Sequence, residues 1–200
     1  MSDKKSEFQH EAADFANSQL GDVLNSEGES LLGTSKGTDV LDTYEHAVKS
    51  RKDTVMDLLN RWVWEDEMMA LYKISVRNRE PFAIVMMDVD GLKLVNDREG
   101  HRAGDLVLGR LGKAIGDRFR ESDICGKYGG DEAIVMMPLS NLKLENVESE
   151  ERKLTANLSR STGIGVSVGI GIWDGISTLE ETIKKADSKL YINKHNKKNV

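Results

Sequence analysis

The stretch Lys127–Pro138, KYGGDEAIVMMP, places two glycines and two acidic residues directly before a five-residue apolar run. The same five letters, AIVMM, occur at 83–87 in PFAIVMMDVDG, where the acids follow the run. Short apolar runs bounded by turn residues and proline are typical of buried strands. If the two runs pair as antiparallel strands, the end of the first lies beside the start of the second. That sheet edge then carries four acidic residues: Asp88, Asp90, Asp131 and Glu132.

Carboxylates that crowd together repel one another unless a cation neutralises them. Ligands that are all oxygen atoms favour Mg²⁺, Mn²⁺ or Ca²⁺ over zinc. Gly129 and Gly130 would let the hairpin turn tightly and bring its backbone near a bulky ligand. A solvated acidic turn is the alternative, but the matching acids at the neighbouring strand end favour a cation site. An EF-hand does not fit DVDGLKLVNDRE, because Leu92 and Lys93 stand where a ligand and a glycine are needed.

Composition limits the class of protein. The chain has 200 residues, 38% hydrophobic and 31% charged, which fits one globular domain plus an appendage. The net charge of −6 argues against a general nucleic-acid binder. The apolar runs are too short for a membrane span, and no secretory signal is visible. A single cysteine, Cys125, excludes an intramolecular disulfide. We therefore expect a cytoplasmic protein with neither nucleic-acid nor membrane partners.

The order of elements predicts the fold class. Residues 1–52 are polar and predict a partly helical extension, a candidate dimerising or regulatory segment. Residues 53–200 are predicted to form the folded domain. The stretch 39–78 has few helix breakers, and its apolar residues recur at three and four from Val55 to Tyr72, which predicts two helices in succession. The order α-β-α-β-β-α-β-α then predicts an α+β fold with a central, mostly antiparallel sheet flanked by helices.

Six collinear motifs between Asp53 and Val200 resemble the GGDEF family, the diguanylate cyclases. DTVMDLLNR resembles D-x-L-T-x-L-x-N-R, and DVDGLK resembles D-x-D-x-F-K. NDREGHRAGD resembles N-D-x-x-G-H-x-x-G-D, and YGGDEA resembles the GGDEF signature itself. VSVGI resembles V-S-x-G-[IV], and ADSKLYINKHNKKN resembles A-D-x-A-L-Y-x-A-K-x-x-G-R-N. The resemblance covers nearly three quarters of the chain and implies that residues 53–200 form a GGDEF-like catalytic domain.

The resemblance implies a palm-like fold, as in the nucleotidyl cyclases. It also implies condensation of two GTP into cyclic di-GMP with release of two pyrophosphates. Each subunit of a homodimer would present one GTP, and two Mg²⁺ (or Mn²⁺) ions would assist in each active site. The 3′-hydroxyl of one GTP would attack the α-phosphate of the other.

The same resemblance implies roles for individual residues. Asp88, Asp131 and Glu132 match the catalytic acids. Asp88 and Asp131 would bind metal together with the Val89 carbonyl, and Glu132 would bind metal or help deprotonate the 3′-hydroxyl. The substrate-binding positions are Gly91, Leu92, Lys93, Asn96, Asp105, Lys194 and Lys198.

Within the substrate site, the resemblance divides the work between base and phosphates. Asn96 and Asp105 match the motif positions that recognise guanine. A carboxylate suits this role, since it can accept hydrogen bonds from guanine N1–H and N2–H₂. The main-chain amides from Gly91 to Lys93, with Lys194 and Lys198, would bind the triphosphate. The alternatives without a ligand are an Asx turn and a helix N-cap for Asn96 and Asp105. For Lys194 and Lys198 the alternative is a solvated basic helix end.

RESD, from Arg120 to Asp123, resembles the family's inhibitory R-x-x-D and implies allosteric binding of the product cyclic di-GMP. A surface Arg–Asp pair is the alternative. The chain departs from the motifs at four site positions: Leu92, Lys127, Ala133 and Lys198. Two other functions therefore stay open beside the active cyclase. One is a degenerate module that binds GTP or cyclic di-GMP as a receptor or scaffold, and the other is a cyclase for a different cyclic dinucleotide.

Overall fold

The computed structural model describes residues 51–139 and 147–198. The predicted extension at 1–52 therefore lies almost wholly outside the described residues. The described helices are α1 Arg61–Asn78, α2 Leu92–Glu99, α3 His101–Arg118, α4 Val147–Thr162 and α5 Leu179–Lys198. The described strands are β1 Phe82–Val89, β2 Ile124–Lys127, β3 Glu132–Pro138 and β4 Val166–Ile172. None of these helices is both long and apolar enough to cross a membrane.

The four strands form one antiparallel sheet in the order β2-β3-β1-β4. The two AIVMM runs pair with each other about Val85, which lies opposite Val135. Ala83 lies opposite Met137, and Met87 lies opposite Ala133. This confirms the predicted antiparallel pairing and the α+β fold class.

Helices cover both faces of the sheet. Successive side chains of β1 point to opposite faces, and every one of them is buried. Helices α3 and α4 cover one face with Leu111, Ile115, Leu154 and Leu158, packed on Val85, Met87 and Val135. Helices α1 and α5 cover the other face with Trp64, Met68, Ala186 and Leu190, packed on Ile84, Met86 and Ile134. The core therefore has two apolar layers with the sheet between them.

Two helix predictions were wrong. Residues 51–60 form turns instead of helix, and α1 begins only at Arg61, after the N-cap Asn60. Leu59 exchanges backbone hydrogen bonds with β2, accepting from Lys127 N at 2.8 Å and donating to Cys125 O at 3.1 Å. The Leu59 backbone thus pairs with the edge strand of the sheet, which helical spacing does not reveal. The chain also forms two helices, α2 and α3, between β1 and β2, where one was predicted.

Helix α5 packs unusually close to β4. The strand presents small residues, Ser167, Gly169 and Gly171, at alternate positions. A Cβ at Gly169 would collide with the backbone of α5 at Ala186 and Leu190. Because β4 carries no side chain there, α5 lies directly on the strand and brings its C-terminal lysines to the sheet edge.

Candidate active site

The predicted carboxylates converge at one edge of the sheet. Asp88, at the end of β1, lies opposite Glu132, the first residue of β3. Asp131 precedes that pair by one residue, and its carbonyl accepts a hydrogen bond from Val89 N at 3.3 Å. Asp88 is only 5% exposed, whereas Asp131 and Glu132 are half-buried. The antiparallel register therefore brings Asp88 beside two acids that lie far from it in the sequence.

Lys194 is the cation that holds Asp88 in this structure. Its Nζ lies 2.6 Å from Asp88 Oδ1. Burial raises the pKa of the Asp88 carboxyl above its ordinary value; the Lys194 hydrogen bond offsets part of that rise and the Asp131 charge adds to it. Burial alone would lower the pKa of Lys194, but its bond to Asp88 raises the value overall. The family resemblance implies that Lys194 binds the triphosphate. In this structure, Lys194 forms an ion pair with the Asp88 carboxylate instead.

Glu132 lies among like charges. Burial raises the pKa of its carboxyl above the ordinary value, and the charges of Asp88, Asp131 and Asp187 raise it further. The Glu132 carboxylate lies against Gly129, where a Cβ would collide with it. Asp187, on α5, is a charged neighbour of the site that the sequence analysis did not single out.

The donor set fits a hard divalent cation. Among the described residues, no three acid, histidine or cysteine side chains already converge as a metal cage. However, burial and mutual repulsion both raise the pKa values of Asp88 and Glu132, and a bound cation would relieve that repulsion. Oxygen donors of this kind suit Mg²⁺ or Mn²⁺. Such an ion on Asp88 would take the place of the Lys194 ammonium.

Asp90 does not join the other acids. Its Oδ1 accepts a hydrogen bond from Ser167 Oγ at 2.7 Å, and its Oδ2 lies 2.9 Å from Lys197 Nζ. Ser167 lies on β4, opposite Asp88 and on the far side of β1 from β3. Sequence reasoning missed Lys197, although the adjacent basic residues of the chain end were the available signal.

The turn after β1 leads into α2. Gly91 adopts a left-handed conformation with φ of 76°, which glycine tolerates without strain, and it is the N-cap of α2. Leu92 is buried in the core, whereas Lys93 is exposed. The first amides of a helix have no partner within that helix. The amides of Gly91, Leu92 and Lys93 are therefore at the helix end where an anion would bind.

Asn96, on α2, contacts α3 at Gly104, the residue before Asp105. The Asn96 Oδ1 atom is buried and accepts no hydrogen bond within the described residues. It lies against Gly104, where a Cβ would collide with it. Asp105 follows Gly104 on α3 and is exposed. A buried polar atom without a partner is costly, so Asn96 marks a place that suits a polar ligand.

The GG hairpin is held from outside the sheet. Lys127 Nζ lies 2.8 Å from Asp53 Oδ2, and both side chains are largely buried. The guanidinium of Arg61 lies 4.8 Å from the centroid of the Tyr128 ring. Lys127 is thus directed at the turn before α1 and away from the acids, a role that its place before YGG did not reveal.

Arg120 and Asp123 form a compact turn beyond α3. Arg120 N donates to Asp123 Oδ2 at 2.8 Å, and Asp123 N donates to Arg120 O at 2.9 Å. Burial raises the pKa of the Asp123 carboxyl above its ordinary value, against the lowering effect of Arg120. Both residues line a cavity of about 130 Å³ that also contacts Phe119 and Leu154. Lys198 ends α5, and its side chain lies outside the described part of the chain.

Known proteins share this fold and these motifs. Diguanylate cyclase DosC of Escherichia coli K12 is 30% identical over 161 residues, which are 75% of this chain and 35% of DosC. The chain thus spans about a third of the length of that curated relative. The GGDEF domain of DgcB from Caulobacter crescentus, solved in complex with cyclic di-GMP, superposes with a TM-score of 0.65 at 24% identity, over 73% of this chain and 88% of that one.

A second solved structure, of a microbial GGDEF domain with bound cyclic di-GMP, is 30% identical with a TM-score of 0.61. It covers 74% of this chain and 92% of its own. The family described as "Diguanylate cyclase, GGDEF domain" matches residues 50–200. That match includes every element of the sheet and every carboxylate brought together at its edge, and the chain belongs to this family.

Proposed function

We propose that the chain is an active diguanylate cyclase, which condenses two GTP into cyclic di-GMP and two pyrophosphates. The observation that carries this proposal is the register of Asp88 opposite Glu132, with Asp131 beside them. A receptor that only binds nucleotide has no chemical need for a cluster of acids in which burial and repulsion raise the pKa values of Asp88 and Glu132. The buried, unpaired Asn96 Oδ1 supports the same proposal because it lacks a partner that a nucleobase would supply.

In the proposed site, Asp88, Asp131 and the Val89 carbonyl would hold two Mg²⁺ or Mn²⁺ ions. Bound ions of this kind stabilise both the attacking and the leaving oxygen of an in-line phosphoryl transfer. Glu132 lies opposite Asp88 at the start of β3. From there its carboxylate could accept the proton that leaves the 3′-hydroxyl. The oxygen of that hydroxyl forms a bond to the α-phosphorus of the other GTP, and the bond from phosphorus to pyrophosphate breaks.

The remaining residues bind and orient the nucleotide. The amides from Gly91 to Lys93 face the β- and γ-phosphates at the start of α2. Lys194 and Lys198 supply positive charge, and Lys194 leaves Asp88 for a phosphate when a divalent ion binds the carboxylate. Asn96 and Asp105 recognise the guanine edge, where a carboxylate can accept from N1–H and N2–H₂. Adenine lacks that pair of donors, so Asp105 favours guanine.

One site holds one GTP, so the reaction requires two subunits that face each other in a homodimer. The Arg120–Asp123 turn would bind the product: Arg120 contacts a phosphate or stacks on guanine, and Asp123 accepts from the guanine edge. Bound product would hold the two active sites apart. We therefore expect inhibition by cyclic di-GMP that does not compete with GTP.

The alternative is a degenerate module that binds GTP or cyclic di-GMP without turnover. Two departures from the motifs bear on it, and both fall in the core. Leu92 and Ala133 are buried in the same apolar cluster, and Ala133 lies opposite the larger Met87. These departures change packing and leave the acids in place.

The test is to incubate the purified chain with GTP and Mg²⁺ and to identify the product by mass spectrometry. We expect cyclic di-GMP, with specific activity that rises with protein concentration. Tight binding of GTP without any product would support the degenerate module instead. A product containing adenine from mixed ATP and GTP would point to a different cyclic dinucleotide.

A further inference from the structure

Two side chains near the end of α5 reach the backbone of β4. Asn193 Nδ2 donates to Val168 O at 2.8 Å, and Lys197 Nζ donates to Val166 O at 2.7 Å. Four helical residues rise about 6 Å, and two strand residues rise about 6.6 Å. The two spacings agree, so this pair of bonds fixes the register of α5 along β4.

Lys197 makes a second set of contacts that Asn193 does not. Its Nζ lies 2.9 Å from Asp90 Oδ2 and 3.2 Å from Ser167 Oγ, while Ser167 Oγ donates to Asp90 Oδ1. Both carboxylate oxygens of Asp90 are thus engaged on the β4 side. Ser167 lies directly opposite Asp88, so Asp90 shares the face of Asp88 but is held toward β4, on the side away from Glu132.

This arrangement departs from the motif that the chain resembles. In A-D-x-A-L-Y-x-A-K-x-x-G-R-N, the positions of Asn193 and Lys197 hold alanine and glycine. Neither of those residues has a side chain that could donate to a carbonyl or pair with a carboxylate. The two bonds to β4 and the ion pair with Asp90 are therefore features of this chain's own sequence.

We propose that Lys197 is a positioning residue. It holds the Asp90 carboxylate against Ser167 and so prevents Asp90 from binding the divalent cation. The inference rests on the proposed function, since it assumes that Asp88 and Asp131 hold that cation. With Lys197 present, the cation meets two carboxylates and the Val89 carbonyl. Without Lys197, Asp90 gains the freedom to turn toward the ion as a third carboxylate ligand. Lys197 thereby sets how tightly the site holds its metal.

The test is the affinity for Mn²⁺ alone, measured on the full chain by electron paramagnetic resonance without nucleotide. Lys197→Met should tighten Mn²⁺ binding by about tenfold, because it removes a positive charge and releases a ligand. In an Asp90→Asn background the same change should tighten binding by no more than about threefold, because only the charge effect remains. Lys197→Arg should leave the affinity near that of the native chain.

Asn193→Ala is the matched control. It removes the neighbouring bond between α5 and β4 but leaves every contact of Asp90 in place, so Mn²⁺ affinity should not change. If Asn193→Ala and Lys197→Met tighten binding alike, helix register and not Asp90 sets the affinity, and the inference is wrong. An equal effect of Lys197→Met with and without the Asp90→Asn substitution would also overturn it.

Asp131→Asn separates this inference from the proposed function. If the native chain binds Mn²⁺ and Asp131→Asn abolishes that binding, the proposed metal site is supported. The Lys197 variants then test only the proposed role of Lys197. If the native chain binds no Mn²⁺, or Asp131→Asn leaves the affinity unchanged, the proposed metal site and the inference both fail.

Discussion

Asp88 on β1 lies opposite Glu132 on β3, and Lys194 Nζ lies 2.6 Å from the Asp88 carboxylate. This places a lysine from the last helix at the meeting point of two strand ends. Lys194 thus neutralises Asp88 from within the chain, at the carboxylate where the proposed cation would bind.

The close packing of α5 on β4 predicts the effect of Gly169→Ala. The added Cβ would collide with the backbone at Ala186 and Leu190 and push the helix away from the strand. We expect a loss of stability of about 1–3 kcal/mol. Urea unfolding measures the loss. Gly116→Ala, in α3 where the Cβ meets open space, is the control and should not destabilise the chain. Equal stability of the two variants would mean that α5 adjusts freely.

The contact of Asn96 with Gly104 predicts that replacing Gly104 weakens recognition of the guanine base. In Gly104→Ala the Cβ would displace Asn96 Oδ1, whereas Gly116→Ala on the same helix adds a Cβ in open space. Gly104→Ala should weaken binding of a non-hydrolysable GTP analogue by about tenfold, the worth of one hydrogen bond to a buried group. Calorimetry on both variants makes the comparison. If both bind the analogue as the native chain does, Asn96 is not a guanine reader.

The ion pair of Lys127 with Asp53 predicts a pH-dependent stability. Burial raises the pKa of Asp53, but the Lys127 hydrogen bond and the amides of Met56 and Val55 together lower it below the ordinary value of 3.8. A carboxyl with a lowered folded-state pKa stabilises the fold above its ordinary pKa, and this contribution is lost as the pH falls through the folded value. Lys127→Met should therefore cost about 1–3 kcal/mol near neutral pH and less in acid.

Urea unfolding at a series of pH values, down to the lowest at which unfolding stays cooperative, checks this expectation. The control is Lys113→Met, which removes an equally short pair with Asp117 on the exposed face of α3. An exposed pair contributes little, so that variant should differ from the native chain by less than about 0.5 kcal/mol at every pH. A pH-independent cost for Lys127→Met would show that its aliphatic packing, not its charge, stabilises the fold.

The Arg120–Asp123 turn predicts where the product binds. Arg120→Ala should weaken cyclic di-GMP binding by at least about tenfold, because it removes a charge-assisted contact to phosphate. Calorimetry with cyclic di-GMP on both proteins measures this. Lys113→Ala, an exposed position on α3, serves as the control. Unchanged binding by Arg120→Ala would remove the turn from the product site and leave an ordinary surface pair.

The pairing of β1 with β3, and with it the meeting of Asp88 with Asp131 and Glu132, could be predicted because the repeated AIVMM and the acids beside it mark both strands. Asp90 could not be placed, because its partner Lys197 lies 107 residues away and stands where the related motif has glycine. The turn at 51–60 was mistaken for helix because its apolar spacing is helical. Its conformation depends on Leu59 and Asp53, which bond to β2 and to Lys127, 74 residues from Asp53.

The most direct test of the proposed cyclase is the yield of cyclic di-GMP from Asp131→Asn, with GTP and Mg²⁺ and the product identified by mass. Asparagine keeps the shape of the side chain and removes its charge, so we predict product at least about a hundredfold below the native level with an unchanged circular dichroism spectrum. Asp117→Asn, on the exposed face of α3, should retain native activity. Native yield from a correctly folded Asp131→Asn would contradict the assignment of these acids to the reaction.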